Sequence, residues 1–208
     1  MLSKGLVRSA LLGAVVGMLA VGAQAQPMPK ATKDYKAAPA GAYALDPAHT
    51  GVIARVPHLG FSFEVFRFTT VSGALTWDPA NPGADSLNVT LDPKSLTTAP
   101  TGSVDFAAEL TGDKFLNVAK FPTATFVSKA FHQVDATHGK VDGDLTIMGV
   151  TQPATFDVEL VGAGQFGPRT VIGVTARTMV DLKNLGLPPF IQGPVELVID
   201  TEFDKKPS

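Results

Sequence analysis

From Leu145 to Leu160 the chain reads as two β-strands joined by a tight corner, and each strand alternates apolar with polar side chains. In the second strand Ala154, Phe156, Val158 and Leu160 share one face, and Thr155, Asp157 and Glu159 share the other. Period-two alternation leaves one face buried and one wet, as in an antiparallel sheet or a barrel wall. A chain built from such strands has to close or cover its sheet. Closure creates an interior, and the interior is where a site is expected.

The same pattern recurs along the chain. Candidate strands cover 42–46, 51–57, 61–77, 86–92, 123–134, 139–148, 152–163, 170–182 and 194–204. Turn residues separate them: Asp46-Pro47, Asn81-Pro82-Gly83, His138-Gly139, Gly164 with Gly167-Pro168, and Gly193-Pro194. Alternation proposes the inward rows Leu87/Val89/Leu91, Val141/Gly143/Leu145/Ile147, Ile172/Val174/Ala176 and Val195/Leu197/Ile199. Residues 103–118 break the pattern. Their spacing predicts a short amphipathic helix over 103–110 capped by Ser103, then a second helical turn after Gly112. Many strands and one helical insert predict a single all-β antiparallel barrel with a cap, spanning residues 42–208.

The first 25 residues have a different character. Lys4 and Arg8 precede an apolar run from Ala10 to Gly22 that is too short to span a membrane, and Ala23-Gln24-Ala25 supplies the small residues of a cleavage site. The segment reads as a cleavable signal peptide rather than a short anchor, which predicts export to the periplasm. Residues 26–41, rich in Pro, Ala and Lys without periodicity, read as a disordered leader. Without Lys4 and Arg8 the chain carries fifteen basic and nineteen acidic residues, a net charge of −4. That balance gives no electrostatic reason to bind nucleic acid. The chain has no Cys, so neither disulfides nor thiolate metal sites are available. Thirteen Phe against one Trp and two Tyr suit an all-apolar interior or an apolar ligand better than a sugar site.

Catalytic signatures are missing. His49, His58, His132 and His138 are scattered, with no helical i, i+4 pair, and read as surface or turn residues. There is no nucleophile elbow, no phosphate-binding Gly loop and no dinucleotide fingerprint. Asp142-Gly143-Asp144 lacks the remaining ligands of a calcium loop, and strand parity turns both carboxylates to solvent. No catalytic residue, metal ligand or cofactor is assigned.

Six motifs in order resemble the YceI family of periplasmic polyisoprenoid-binding proteins. They are Tyr43-Ala44-Leu45-Asp46-Pro47-Ala48-His49-Thr50, Val56-Pro57-His58-Leu59-Gly60-Phe61-Ser62 and Phe68-Thr69-Thr70-Val71-Ser72-Gly73, then Ser95-Leu96-Thr97-Thr98, the run 113–128 with Phe121-Pro122 and Phe126, and Leu145 to Pro153. Met148 departs from the family pattern, standing where a His often precedes Gly-Val-Thr, and Leu185 stands where Phe is usual. The resemblance implies an extended eight-stranded, lipocalin-like barrel that holds a long isoprenoid or fatty amphiphile without catalysing a reaction. It also admits a homodimer, although no interface signal is visible. Phe61, Phe63, Phe66, Phe68, Phe115, Phe121, Phe126, Ile147, Phe156, Leu160 and Val174 are the expected lining, with Arg55, His58 and Thr97 at a polar end. The competing reading is a solidly packed, ligand-free barrel that acts through its surface as a stress-response or interaction module.

Overall fold

Alternating segments become strands wherever they can bury one face, and the computed structural model has twelve of them among the residues it describes, 30–99, 102, 104–188, 191 and 193–207. The expected signal peptide, residues 26–29 and Ser103 lie outside the described residues. The strands are β1 (Lys30–Thr32), β2 (Gly41–Leu45), β3 (Gly51–His58), β4 (Ser62–Phe68), β5 (Val71–Trp77) and β6 (Ser86–Leu91). They continue with β7 (Leu96–Thr97), β8 (Ala124–Gln133), β9 (His138–Ile147), β10 (Val150–Phe166), β11 (Arg169–Val180) and β12 (Val195–Lys205). Among the described residues one α-helix, α1 (Phe106–Thr111), lies between β7 and β8.

Antiparallel pairing runs β2–β5–β6–β8–β9–β10–β11–β12 and returns from β12 to β2, which closes an eight-stranded barrel. Three walls extend past this ring. β12 pairs with β2 through Phe203–Lys205 and with β3 through Glu196–Asp200, β3 pairs with β4, and β4 pairs with β7. Hence β2 and β3, β5 and β4, and β6 and β7 each form one long, interrupted wall. The expected fold, an extended eight-stranded antiparallel barrel of lipocalin-like type with a short helical insert, is the fold observed.

The interruptions have local causes. At Asp46-Pro47 and Asp92-Pro93 a one-turn 3-10 helix breaks the wall, with Pro at the first position. The Asp oxygen accepts the N–H of Ala48 in one and of Lys94 in the other, at 2.8 Å in both. Residues 61–77, one strand by their pattern, are broken at Thr69-Thr70. There both amide N–H groups donate to Ser95 Oγ, and the Asp92 N–H takes the Thr70 carbonyl. Ser95 thereby ties one broken wall to the next.

Four further expectations are corrected. The leader is ordered from Lys30: β1 pairs with the outer end of β10, and Asp34 caps a 3-10 turn over Tyr35–Ala37. Trp77 Nε1 donates to the Ala38 carbonyl at 3.2 Å, and the hydroxyl of fully buried Tyr43 donates to the Pro39 carbonyl at 2.6 Å. The helix starts later than predicted, at Phe106, because Asp105 accepts the Ala108 N–H and is the cap. After Gly112 the chain makes turns rather than helix, with Asn117 at φ 43. His138-Gly139 opens β9 instead of turning; the turn is at 134–137, where Asp135 accepts the N–H groups of Thr137 and His138.

Candidate functional site

Inside the barrel two apolar chambers lie end to end, about 600 Å³ and about 220 Å³. The larger sits under α1, where β7 pairs with β4 and not with β8, and residues 106–121 of the insert line it. Its mouth carries His58 and Leu59 of the β3–β4 hairpin, Met148 of the β9–β10 corner and Leu185 of the β11–β12 loop. The smaller lies toward the opposite end, where Tyr35, Trp77 and the β8–β9 turn form the wall.

The strand rows point as alternation requires. Leu87, Val89 and Leu91 on β6, Val141, Leu145 and Ile147 on β9, and Ile172, Val174 and Ala176 on β11 all face the chambers. On the outer face His132 meets Asp142 at 2.9 Å, Lys129 meets Asp144 at 2.6 Å, and Lys140 pairs with Asp157. Both Asp side chains of Asp142-Gly143-Asp144 therefore sit in this solvent-facing charge ladder. A charged outer wall is the reverse of a membrane-spanning barrel, whose outer band is apolar.

Of the predicted lining, Phe66, Phe68, Phe115 and Phe121 face the larger chamber with Ile147. Leu160 and Val174 face the smaller, and Phe126 and Phe156 face both. Phe61 and Phe63 face neither. Period two puts positions 61 and 63 on the opposite side of the wall from 66 and 68, and they are 89% and 52% exposed. Arg55 is also on the outer face, ion-paired with Glu196 and stacked on the Phe63 ring at 4.6 Å. Thr97 donates to the Arg67 carbonyl at 3.1 Å and does not line the cavity. His58 does reach the mouth, half-exposed, with Nδ1 4.0 Å from Glu64 Oε1.

Lining residues outside the aromatic set are aliphatic: Val52, Ala54 and Val56 on β3, with Leu96, Leu110 and Leu182 beneath the cap. Parity along 51–57 was the available signal for the first three. The last three carry none: Leu96 is in a two-residue strand, Leu110 in a six-residue helix, and Leu182 beyond the end of β11.

Polar groups are few in the interior. At the far rim Asp85 accepts the Asp78 N–H at 2.6 Å, while its Oδ2 is buried without a hydrogen-bond partner among the described residues. Burial pushes its carboxyl up to about 6. Outside the barrel Asp46, His49 and Glu202 bring ligand atoms within 4.8 Å of one another. The hydrogen bond that His49 donates to Asp46 at 2.8 Å, joined by the charge of Glu202, raises the His49 imidazole above its usual value. Arg169 already supplies a cation there, bonded to Asp204 at 2.7 Å and Asp46 at 3.4 Å.

A closed barrel whose inward rows leave a greasy hollow, with charge confined to its outside and rims, belongs to the ligand-cavity class of small β-barrels. The chain belongs to the YceI-like domain family, whose model matches residues 43–203. It is 34% identical over 160 residues to Protein YceI of Escherichia coli O157:H7, covering 74% of this chain and 81% of that one. The crystal structure of Campylobacter jejuni YCEI superposes with a TM-score of 0.64 at 25% identity, over 74% of this chain and 91% of that one. A polyisoprenoid binding domain from Saccharophagus degradans shares the fold at a TM-score of 0.52 and 14% identity, over 79% of this chain and 98% of that one.

Proposed function

We propose that this chain is an exported, non-enzymatic carrier or store for one long-chain amphiphile, a polyisoprenoid, quinone tail or fatty chain, held inside the barrel. The observation that carries this reading is the pair of contiguous apolar chambers within a closed wall. Roughly ten buried methylenes at about 0.8 kcal/mol each give about 8 kcal/mol, enough to approach micromolar affinity before association costs. The polar groups at the mouth then orient the head more than they hold it. The binding named for the Saccharophagus domain supports the same ligand class. Sequence features of residues 1–25 support export to the periplasm. Among the described residues no helix is long and apolar enough to cross a membrane.

Organic extraction of the purified protein followed by mass spectrometry tests the proposal. A stoichiometric long-chain amphiphile is expected, either carried through purification or taken up when an isoprenoid alcohol is added. Protein that is empty and stays empty overturns it and favours the surface-acting barrel.

A further inference from the structure

The two chambers share five wall residues: Val52, Val89, Phe126, Phe156 and Ile199. Two of these, Phe126 on β8 and Phe156 on β10, stand on either side of β9, opposite Leu145 and Val141 respectively. Between those two positions, in the same inward row, lies Gly143. The rings meet across it edge to face, centroids 4.8 Å apart with an interplanar angle of 73°.

A glycine is required there for room. A Cβ on Gly143 would lie 2.6 Å from Phe126 Cζ, 2.7 Å from its Cε2 and 2.4 Å from the Val127 carbonyl oxygen. The Phe126 ring occupies the space that a side chain at 143 would fill, so the aromatic pair lies down against the β9 wall. Val52, Val89 and Ile199 complete the boundary between the chambers.

We propose that Phe126, Phe156 and Gly143 form a waist that sets the length of chain the barrel accepts, with Gly143 holding it open. This rests on the cavity-binding reading above. The larger chamber, about 600 Å³, has the volume of a ligand site by itself, within the roughly 300–1,000 Å³ usual for such sites. The smaller, at about 220 Å³, falls below that range and serves as an extension of the first. A chain that fills the larger chamber gains more only by passing the rings. Each methylene that finds apolar space tightens binding by roughly fourfold, and each one that stays in water adds nothing.

The test is a titration of the purified protein with a homologous series of straight-chain primary alcohols, read by native mass spectrometry. For the wild type the dissociation constant is expected to fall roughly fourfold per methylene and then level off at one chain length. Phe126→Leu and Phe156→Leu should move that limit to longer chains, and Gly143→Ala should move it to shorter ones. The two Leu variants keep the core apolar and are checked for fold by circular dichroism, so they decide the matter if Gly143→Ala does not fold. A wild type with no limit, or a limit that stays at one length in the variants, overturns the waist while leaving cavity binding intact. A wild type that binds no alcohol of any length overturns the cavity reading itself, and the waist falls with it.

Discussion

Single residues in this wall are sorted by parity before they are sorted by chemistry. Phe61 and Phe63 are as apolar as Phe66 and Phe68, yet the first pair is outside and the second inside. Counting aromatics in the sequence made four lining residues of them, whereas counting positions would have made two. Arg55 follows the same rule: its odd position faces water, where Glu196 and the Phe63 ring meet it. Asp85 is the exception worth testing, a carboxylate at a chamber rim whose burial raises it from 3.8 to about 6. Below the unfolded value both states hold the proton and no charge is buried. As pH rises through this window the unfolded chain ionises first, so stability falls until the folded carboxyl has also ionised. Asp85→Asn keeps an oxygen to accept the Asp78 N–H and carries no charge. Its urea midpoint relative to wild type should therefore rise between about pH 4 and about pH 7. Parallel midpoints across that interval would show that the carboxylate is adequately solvated.

Elements were legible in proportion to their length. The long walls β8 to β12 repeat the alternation often enough to fix both their existence and their facing, and the inward rows follow from it. β1 has three residues, too few for any period, and its pairing with β10 is decided by tertiary contact. The break at Thr69-Thr70 was equally hidden, because its cause, Ser95, is on another wall. The helix cap was missed by two positions for a simpler reason: Ser103 and Asp105 are both good caps, and only the fold chooses between them. β1 depends on close backbone approach at Gly164, which sits at φ +152, where a Cβ would come 2.4 Å from the Lys30 carbonyl oxygen. Gly164→Ala should therefore unseat β1 and leave the barrel closed. The exposed Lys33–Glu159 pair is screened by solvent and cannot hold the strand in place alone. Hydrogen exchange followed by mass spectrometry should show protection lost over 30–34 and kept over β10 and β11. Unchanged protection of 30–34 would mean that the strand docks by other contacts.

At the scale of the whole molecule, a barrel that closes its hydrogen-bond ring can keep a hollow without opening a sheet edge to water. Its stability should then report what fills the hollow. A ligand that binds only the folded state adds about 2.7 kcal/mol when its free concentration is 100 times its Kd. For a domain of this size about 1 kcal/mol shifts Tm by roughly 2–4 °C, so a saturating isoprenoid alcohol should raise Tm by about 5–11 °C. The polar end predicts the control. His58 and Glu64 at the mouth are half-exposed and the chain is net acidic, so inorganic pyrophosphate without a tail has little to hold it. Calorimetry of the delipidated protein should show the shift with the alcohol and none with pyrophosphate. The reverse result would move the site from the hollow to the outer surface. Affinity would then come from charge on the wall instead of from methylenes removed from water.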